Sequence, residues 1–247
     1  MSQKLRQDKI LHILENRKFV TVRELIDILQ YSSATVNRDL NEMQLLGLVK
    51  RHRGGVELAQ YNGLPPLYSR QLYQKAEKRR IAEEAARLVR DGDTLFLNGG
   101  TTVQYMAPHL LAKKELTVIT NSLHLAIELG NAPFRVICLG GCVTERPHVL
   151  YGEDTLENVM KYRADKLFFS QGAITERGEL EGSLLEKLMI KNSTEAWLLT
   201  DRTKLTDRLP EVMGDFSALR GVISDFAFSQ ETVAAFPHTA FVTVKIS

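Results

Sequence analysis

The 247-residue sequence lacks the features that define secreted and membrane-spanning proteins. It has only two cysteines, Cys138 and Cys142, which are too few for a disulfide framework and favour a reducing compartment. No apolar run approaches the roughly 18 residues that a membrane-spanning helix needs. The first segment, MSQKLRQDKILHIL, is charged from its start and has no uninterrupted apolar stretch of the kind found in signal peptides. These absences predict a cytoplasmic protein with no membrane partner.

Charge is divided unevenly along the chain, although the whole sequence has a formal net charge of only +2. Residues 1–80 contain 15 Lys and Arg against 8 Asp and Glu, whereas residues 81–247 contain 17 against 22. A basic first third joined to an acidic remainder is typical of a nucleic-acid-binding module attached to a domain of another kind. With 44% hydrophobic and 25% charged residues, the composition is that of an ordinary folded protein.

The first third of the chain has the pattern of two short helices joined by a tight turn. Thr21 is followed three residues later by Glu24, which predicts a capping box at the start of one helix. The buried stripe of that helix comprises Leu25, Ile28 and Leu29. Ser32 is placed to cap a second helix, which Gly47 ends. The apolar face of this second helix comprises Val36, Leu40 and Met43. Together the two helices predict a helix-turn-helix.

The second helix and the segment after it carry polar and basic residues suited to a nucleic-acid interface. We predict that base edges are contacted from the first two turns of the helix, by Ser33, Thr35, Asn37 and Arg38. The segment LVKRHRGGVEL predicts two strands around Gly54-Gly55, which would form a wing. We predict that the wing contacts backbone phosphates of double-stranded DNA through Lys50, Arg51, His52 and Arg53. The alternative is a small helical domain with a solvated basic face, which the agreement of caps, periodicity and turn disfavours.

The stretch ATVNRDLNEMQLLGLVKRHRGG resembles the winged-helix signature of the DeoR family of bacterial regulators of sugar metabolism. The family pattern T-I-R-R-D-L…L…G…R-x-H-G-G is matched at Thr35, Val36, Arg38, Asp39, Leu40, Gly47, Arg51, Gly54 and Gly55. Asn37 stands where the family usually has an arginine. Because this position faces outward, the departure predicts a different operator sequence and not a different fold. The resemblance implies double-stranded operator DNA as a partner.

The segment YNGLPPLYSRQ marks the end of the first domain. It contains three residues that break helices, Gly63, Pro65 and Pro66. We therefore predict a winged helix-turn-helix domain over residues 1–58, a linker over residues 59–75 and a larger α/β domain over residues 76–247. The larger domain is expected to have a mostly parallel sheet, because helical patterns separate most of its strands. The predicted strands are Thr94–Leu97, Leu116–Thr120, Arg135–Leu139, Lys166–Phe169, Ala196–Thr200, Gly221–Ser224 and Ala240–Val244.

Polar residues follow five of these predicted strands. In parallel α/β sheets, ligands bind beyond the carboxyl ends of the strands. Glycines let backbone N–H groups approach an anion, hydroxyls add donors, and a helix N-terminus favours negative charge. We therefore predict an effector site that contains Asn98, Gly99, Gly100, Thr101, Thr102, Asn121, Ser122, Gly140, Gly141, Gln171, Asp201 and Lys204.

The family resemblance extends over this larger domain. NGGTT resembles the family's D-x-G-T-T, TNSL and LGG match family patterns, and DRTK resembles D-S-S-K. The resemblance implies a fold similar to ribose-5-phosphate isomerase and a sensor for a phosphorylated sugar. It also implies that Gly100, Thr101 and Thr102 cradle a phosphate, that Asn121 and Ser122 border the pocket, and that Asp201 and Lys204 close it. Two carboxylates usual in the family are missing, one at Asn98 and one near Gln171, which predicts altered hydrogen bonding to the effector.

The larger domain has two alternative interpretations, as an enzyme and as a zinc-binding domain. A sugar-phosphate isomerase-like enzyme would need a general base, for which the candidates are Glu181, Glu186, Asp201 and His124. Attachment to a DNA-binding module favours a sensor, so we predict no enzymatic activity and no cofactor. A zinc site at Cys138 and Cys142, with His148 as a further ligand, has neither the spacing nor the ligand number of structural zinc. We read Cys138 as a core residue of a strand and His148 as a surface or loop residue.

The DNA-binding module also has consequences for assembly. Paired half-sites multiply affinity, so we predict a homo-oligomer, either a dimer or a tetramer. The resemblance implies a repressor that a phosphorylated small-molecule effector releases from its operator.

Overall fold

The computed structural model describes residues 3–17, 19–59, 67–143 and 148–245. The chain forms two compact units, Met1–Gln74 and Lys75–Ser247. The three helix-breaking residues of the predicted linker, Gly63, Pro65 and Pro66, lie outside the described residues. The described part of that linker includes a short helix.

The first unit is a helix-turn-helix followed by a small antiparallel sheet. Its elements are α1 (Gln3–Asn16), β1 (Val20–Thr21), α2 (Val22–Leu29), α3 (Ser33–Leu45), β2 (Val49–His52), β3 (Gly55–Leu58) and α4 (Leu67–Leu72). The sheet has the strand order β1-β3-β2, in which both pairings are antiparallel. Strands β2 and β3 form the predicted wing, and Gly54 in their turn has a φ of +83°, which suits glycine.

Local capping sets the boundaries of the two central helices as the sequence predicted. The Thr21 backbone N–H donates to Glu24 Oε2 at 2.8 Å, and the Glu24 N–H donates back to Thr21 Oγ1 at 3.2 Å. Ser32 Oγ accepts from the Thr35 N–H at 3.3 Å. Helix α2 ends at Gln30, whose φ of 58° is left-handed. The predicted apolar face of α3 is buried, which confirms the helix-turn-helix. In α2, Leu25 and Leu29 are buried as predicted, but the prediction was wrong for Ile28, which is exposed.

A buried ion pair joins α1 to α3. Arg6 Nε lies 2.6 Å from Asp39 Oδ2, and Arg6 Nη2 donates to Asp39 Oδ1 at 3.0 Å. Arg6 is only 7% exposed and Asp39 is fully buried. The hydrogen bonds to Asp39 raise the pKa of Arg6 above its ordinary value. The guanidinium also lies 4.9 Å from the centre of the Tyr31 ring, which adds a cation–π contact.

The second unit is a three-layer α/β structure built on a seven-stranded sheet. Its helices are α5 (Lys75–Arg87), α6 (Thr101–Gln104), α7 (Ala107–Leu110), α8 (Leu123–Glu128), α9 (Glu153–Met160), α10 (Leu184–Lys191) and α11 (Gln230–Ala235). Its strands are β4 (Thr94–Leu97), β5 (Thr117–Thr120), β6 (Arg135–Cys138), β7 (Cys142–Val143), β8 (Leu150–Tyr151), β9 (Ala164–Phe169), β10 (Ile174–Thr175), β11 (Glu179–Leu180), β12 (Ser193–Thr200), β13 (Leu205–Thr206), β14 (Gly214–Asp215), β15 (Gly221–Ser224) and β16 (Ala240–Thr243).

The large sheet has the strand order β16-β15-β12-β9-β4-β5-β6, and every pairing in it is parallel. All seven of its strands were predicted from the sequence, to within three residues at their ends. The sequence did not predict the four-stranded sheet β13-β10-β11-β14, whose strands have two residues each. Strands this short carry too few residues to show an alternating pattern.

Two hydrophobic clusters cover the two faces of the large sheet, as the near-continuous apolar strands require. Phe168, Phe169 and Trp197 are buried in these clusters, as the sequence indicated. One other expectation was wrong. Cys138 is exposed, because its strand β6 lies at the edge of the sheet. His148 lies in a turn, as predicted for a loop residue, but it is only 5% exposed, and its carbonyl accepts from the Leu123 N–H at 2.9 Å.

Candidate nucleic-acid interface and effector site

The predicted base-contacting residues of α3 differ in whether their side chains already form hydrogen bonds within the protein. Ser33 and Arg38 are exposed. Among the described residues, Arg38 has neither an ion pair nor a hydrogen bond from its side chain, so its guanidinium is available to a ligand. Thr35 Oγ1 lies 2.9 Å from Ser32 Oγ and forms part of the helix cap. Asn37 is half-buried, and both ends of its amide are hydrogen-bonded within the unit.

The predicted phosphate-binding residues of the wing also divide into two groups. Lys50, His52 and Arg53 are exposed on β2 and its turn. His52 Nε2 lies 2.8 Å from Glu57 Oε1 on the neighbouring strand. Arg51 instead turns toward α3, where its guanidinium donates to the side chains of Asn37 and Asn41. The structure therefore presents Arg38, Lys50 and Arg53 as exposed cations.

In the second unit, the sheet order brings most predicted effector residues to the end of the sheet at which its parallel strands finish. Strands β12, β9, β4 and β5 are neighbours, and all four are parallel, so their carboxyl ends lie side by side. Leu97, the last residue of β4, pairs with Thr120 on one side and with Phe168 on the other. The loops that follow these strands therefore form one continuous polar rim.

Asn98 organises the loop after β4. Its Oδ1 accepts from the backbone N–H groups of Gly100 and Ser170, both at 3.1 Å, and its Nδ2 donates to the Ser170 carbonyl at 3.0 Å. These bonds tie the β4 loop to the β9 loop and leave the amide little capacity for a ligand. A carboxylate could accept the same two N–H bonds but could not donate to the carbonyl.

The residues after Asn98 form a tightly packed turn into α6. Gly99 packs against Val149, and a Cβ on Gly100 would clash with Ser170 Oγ. Thr101 and Thr102 are buried in the first turn of α6. Within the described ranges, their backbone N–H groups donate to no acceptor. These N–H groups are at the N-terminus of α6, where the helix dipole favours an anion.

The loop after β5 contributes a second set of polar groups. Ser122 caps α8 by accepting from the Leu125 N–H at 3.2 Å, so its hydroxyl is engaged. Asn121 is buried, and its Nδ2 donates to the Leu150 carbonyl at 3.2 Å. Asn121 Oδ1 is also buried and has no hydrogen-bond partner in the described part of the chain.

The loops after β9 and β12 lead into β10 and β13, which pair in the small four-stranded sheet. Gln171 is 8% exposed, and its buried Nε2 has no partner among the described residues. Gly182 lies close to that same Nε2, and the Glu181 carboxylate packs directly on Gly172. Glu181 was considered from the sequence only as a possible base, because strand β11, which ends at the residue before it, is too short to predict. The structure places it over the β9 loop.

Asp201 directly follows β12 and is fully buried. Its Oδ1 accepts from the Thr203 N–H at 3.0 Å and from the Thr203 hydroxyl, whereas Oδ2 has no partner in the described ranges. Thr200 Oγ1, one residue earlier, is likewise buried without a described partner. Lys204 is half-buried, and its N–H donates to the Asp201 carbonyl at 2.9 Å, which holds the two residues in one tight turn.

Gly140 and Gly141 follow β6, at the exposed edge of the sheet. The Gly140 carbonyl accepts from Thr155 Oγ1 at 2.5 Å. Gly141 has a φ of +130°, and a Cβ there would clash with the same hydroxyl. These contacts give both glycines a structural reason that is independent of any ligand.

The sequence matches two family descriptions that together cover most of the chain. Residues 6–61 match the DeoR-like helix-turn-helix domain, and residues 73–226 match the DeoR C terminal sensor domain. The chain belongs to the DeoR family. It is therefore a transcriptional regulator with a helix-turn-helix domain and a sensor domain.

Curated relatives of this DeoR-family chain include two repressors. The glycerol-3-phosphate regulon repressor of Escherichia coli (strain K12) is 32% identical over 235 residues, which cover 91% of this chain and 92% of that protein. The lactose phosphotransferase system repressor of Staphylococcus aureus (strain NCTC 8325 / PS 47) is 32% identical over 238 residues, covering 92% and 93%. A solved ribose 5-phosphate isomerase A from Methanocaldococcus jannaschii has a TM-score of 0.42 and 20% identity, and covers 55% of this chain and 56% of that chain.

Two of the four side chains that were candidates for a general base in this DeoR-family sensor domain, Glu186 and His124, have structural partners. Glu186 accepts from the Ser183 N–H at 3.1 Å and from its hydroxyl, forming a capping box for α10. His124 lies 3.4 Å from Glu128 one turn along α8. Within the described ranges, no three His, Cys, Asp or Glu side chains are grouped to hold a metal ion. No helix among those described is both long and apolar enough to span a membrane.

Proposed function

We propose that this DeoR-family chain represses carbohydrate-metabolism genes and is released from its operator by a phosphorylated small-molecule effector. The first unit would bind double-stranded operator DNA, and the strand ends of the second unit would bind the effector. The full-length similarity to two proteins named as repressors supports this proposal. Both of those names refer to phosphorylated compounds or to a phosphotransferase system.

For DNA binding, the supporting observation is the set of exposed cations on adjacent elements. Arg38 is on α3, and Lys50 and Arg53 are on the wing that follows it. A helix in the major groove with a basic wing beside it is a common docking geometry, in which the helix reads bases and the wing holds phosphates. Ser33 lies at the start of α3 and is also exposed, so it can contact the same DNA.

For effector binding, the observation that carries the proposal is a cluster of buried polar atoms that the described residues leave unpaired. Asn121 Oδ1, Gln171 Nε2, Thr200 Oγ1 and Asp201 Oδ2 all belong to this group. They lie at the carboxyl ends of β5, β9 and β12, around the end of β4. An unpaired buried polar group costs about 1–3 kcal/mol, so folded proteins rarely retain several in one place without a use for them.

Within that rim, the phosphate of the effector is assigned to the turn from Gly99 to Thr102. The N–H groups and hydroxyls of Thr101 and Thr102 are donors, and Gly100 allows a close approach of the backbone. Lys204 supplies a cation from the loop after β12, which is two strands away from β4 in the sheet. The amide of Asn121 and the carboxylates of Asp201 and Glu181 then remain for the hydroxyl groups of the sugar.

We infer a sensor and not an enzyme, because the domain is attached to a DNA-binding module and because two of the four candidate bases, Glu186 and His124, are engaged in capping and in an ion pair. The repressor acts in the cytoplasm as a homo-oligomer, a dimer or a tetramer, because paired recognition helices multiply affinity for paired half-sites. Effector binding relieves repression by favouring one arrangement of the DNA-binding units over another.

Thermal unfolding of the purified protein tests the effector proposal. Glycerol 3-phosphate, ribose 5-phosphate, fructose 1-phosphate and glucose 6-phosphate would each be compared with the unphosphorylated compound. A ligand at 100 times its Kd stabilises the folded state by about 2.7 kcal/mol. For a domain of this size, that raises the melting temperature by roughly 5–10 °C. We expect at least one phosphate to do so while its unphosphorylated counterpart does not; equal shifts by both would contradict phosphate recognition.

Substitution of Lys204 tests whether the cation belongs to this site. We expect Lys204→Ala to reduce affinity for the stabilising phosphate at least tenfold, because a charge-assisted hydrogen bond is worth about 1.5–3 kcal/mol. Affinity for operator DNA should stay unchanged. The control is Lys114→Ala. Lys114 is an exposed lysine that precedes β5, so it lies at the amino ends of the strands, away from the candidate site. Equal weakening by both variants would show that only overall charge matters.

A further inference from the structure

Arg51 makes an unusual set of contacts for a wing residue. Its Nη2 donates to Asn37 Oδ1 at 2.6 Å, and its Nη1 donates to Asn41 Oδ1 at 2.5 Å and reaches the Asn37 carbonyl at 3.5 Å. Asn37 and Asn41 are four residues apart and so lie on the same face of α3. We call these three residues the Arg51 bridge.

The Arg51 bridge also determines what Asn37 can do. Asn37 Nδ2 donates to the Ser33 carbonyl at 2.9 Å and lies 3.2 Å from Ser33 Oγ, while Oδ1 accepts from Arg51. Bidentate pairing with adenine needs one donor and one acceptor from the same amide. Both Nδ2 hydrogens are directed at Ser33, and Oδ1 is held by Arg51, so such pairing would require at least one contact with Ser33 to break and the base to approach an amide that the bridge fixes.

The electrostatic setting of Arg51 differs from that of an ordinary ion pair. No carboxylate in the described part of the chain lies within ion-pair distance of its guanidinium, and the bridge acceptors are neutral amides. Arg51 is half-buried, whereas Lys50 and Arg53 on either side of it are exposed. The planar guanidinium can reach two acceptors at once, which a lysine ammonium on a flexible stem does poorly.

From this geometry we propose that Arg51 is a positioning residue that fixes the wing against the recognition helix, and that Asn37 serves this bridge and does not read a base. Direct phosphate contact then belongs to Lys50 and Arg53, and base reading to Arg38. The inference rests on the proposed DNA-binding face. It assigns different roles to the residues of that face, whereas the sequence predicted Arg51 as one of four phosphate contacts in the basic wing.

The test uses the full-length protein and two DNA probes. One is a duplex selected by the wild-type protein from a random-sequence library, and the other is a duplex of unrelated sequence. Binding is measured over a range of salt concentrations. Each lost phosphate contact reduces the slope of log K against log salt by about 0.9. We expect Lys50→Ala and Arg53→Ala each to lower the slope by about 0.9 for every protomer that contacts the duplex.

Arg51→Ala should give a different pattern. We expect affinity for the selected duplex to fall about tenfold, the scale of one misplaced base contact, while the slope changes by less than half as much as with Lys50→Ala. Arg51→Lys should behave like Arg51→Ala, because lysine keeps the charge and loses the bridge. If Arg51→Lys kept wild-type affinity, or Arg51→Ala lowered the slope as Lys50→Ala does, Arg51 would be a phosphate contact and the proposal would be overturned.

A mutant cycle keeps the test decisive if Arg51→Ala folds poorly. Asn37→Ala and Asn41→Ala change the exposed face of α3 to a better helix former, so the helix should be retained. In the doubly substituted background, Arg51→Ala should cause no further loss of affinity for the selected duplex, because the bridge is already gone. Additive losses would overturn the proposal. If Lys50→Ala, Arg53→Ala and Arg38→Ala all left binding unchanged, the DNA-binding face itself would be wrong, and the bridge with it.

Discussion

Asp39→Ala is expected to destabilise the first unit by about 3–5 kcal/mol, because it leaves the buried guanidinium of Arg6 without its carboxylate. Small domains have a total stability of about 5–15 kcal/mol, so much of the first unit would unfold under mild conditions. DNA binding should fall in parallel, since α3 carries Arg38. Urea unfolding followed by far-ultraviolet circular dichroism measures the loss. Trp197, the only tryptophan, reports separately on the second unit.

The matched control replaces both charged partners. Arg6→Met combined with Asp39→Leu removes the desolvation cost together with the ion pair, and such replacements are often neutral or stabilising. We expect the double variant to recover stability to within about 1 kcal/mol of the wild type. A cost below about 1 kcal/mol for Asp39→Ala alone would mean that the pair behaves like a solvent-exposed ion pair.

Arg38→Ala is expected to abolish measurable specific binding to operator DNA while leaving effector binding intact. The side chain is exposed on α3 and has no partner among the described residues, so its removal should not disturb the fold. One arginine contact to a base is worth about 1–3 kcal/mol, and this loss would be repeated at each half-site of an oligomer. Fluorescence anisotropy with a duplex selected by the wild-type protein measures DNA affinity, and thermal shift with the stabilising phosphate measures effector affinity.

Two further variants serve as controls for the loss of DNA affinity expected in Arg38→Ala. Arg220→Ala removes an exposed arginine of the second unit and should leave both affinities unchanged. Arg38→Lys keeps the charge but loses the planar fork, so it should retain non-specific binding and lose sequence preference. Equal loss of DNA and effector affinity in Arg38→Ala would contradict the separation of the two functions between the two units.

Part of this structure could be predicted because its causes are local in sequence. Thr21 and Glu24 cap a helix across three residues, and Ser32 caps the next one through the N–H of Thr35. The seven strands of the large sheet are short apolar runs, and polar residues follow five of them. Parallel pairing then brings those polar ends together, so the position of the candidate effector site also followed from the pattern.

The sequence could not show which of the polar residues at that rim are already engaged. Asn98 was predicted to contact the effector, yet its amide joins the loops after β4 and β9, 72 residues apart in sequence. Glu181 reaches the rim only because the small sheet folds over Gly172. The exposure of Cys138 and the burial of His148 likewise depend on which strand lies at the edge of the sheet and which loop packs beneath another.

The sequence by itself determined the helix-turn-helix, the wing, the strands of the parallel sheet and the family to which the chain belongs. Each of these depends on interactions over a few residues or on a periodic apolar pattern. Only the tertiary structure decided that Arg6 pairs with Asp39, 33 residues away, and that Arg51 bridges to Asn37, 14 residues away. Such contacts form only after the apolar faces have packed and brought segments that are distant in sequence close together in space. A local sequence pattern carries no information about which distant segments will meet.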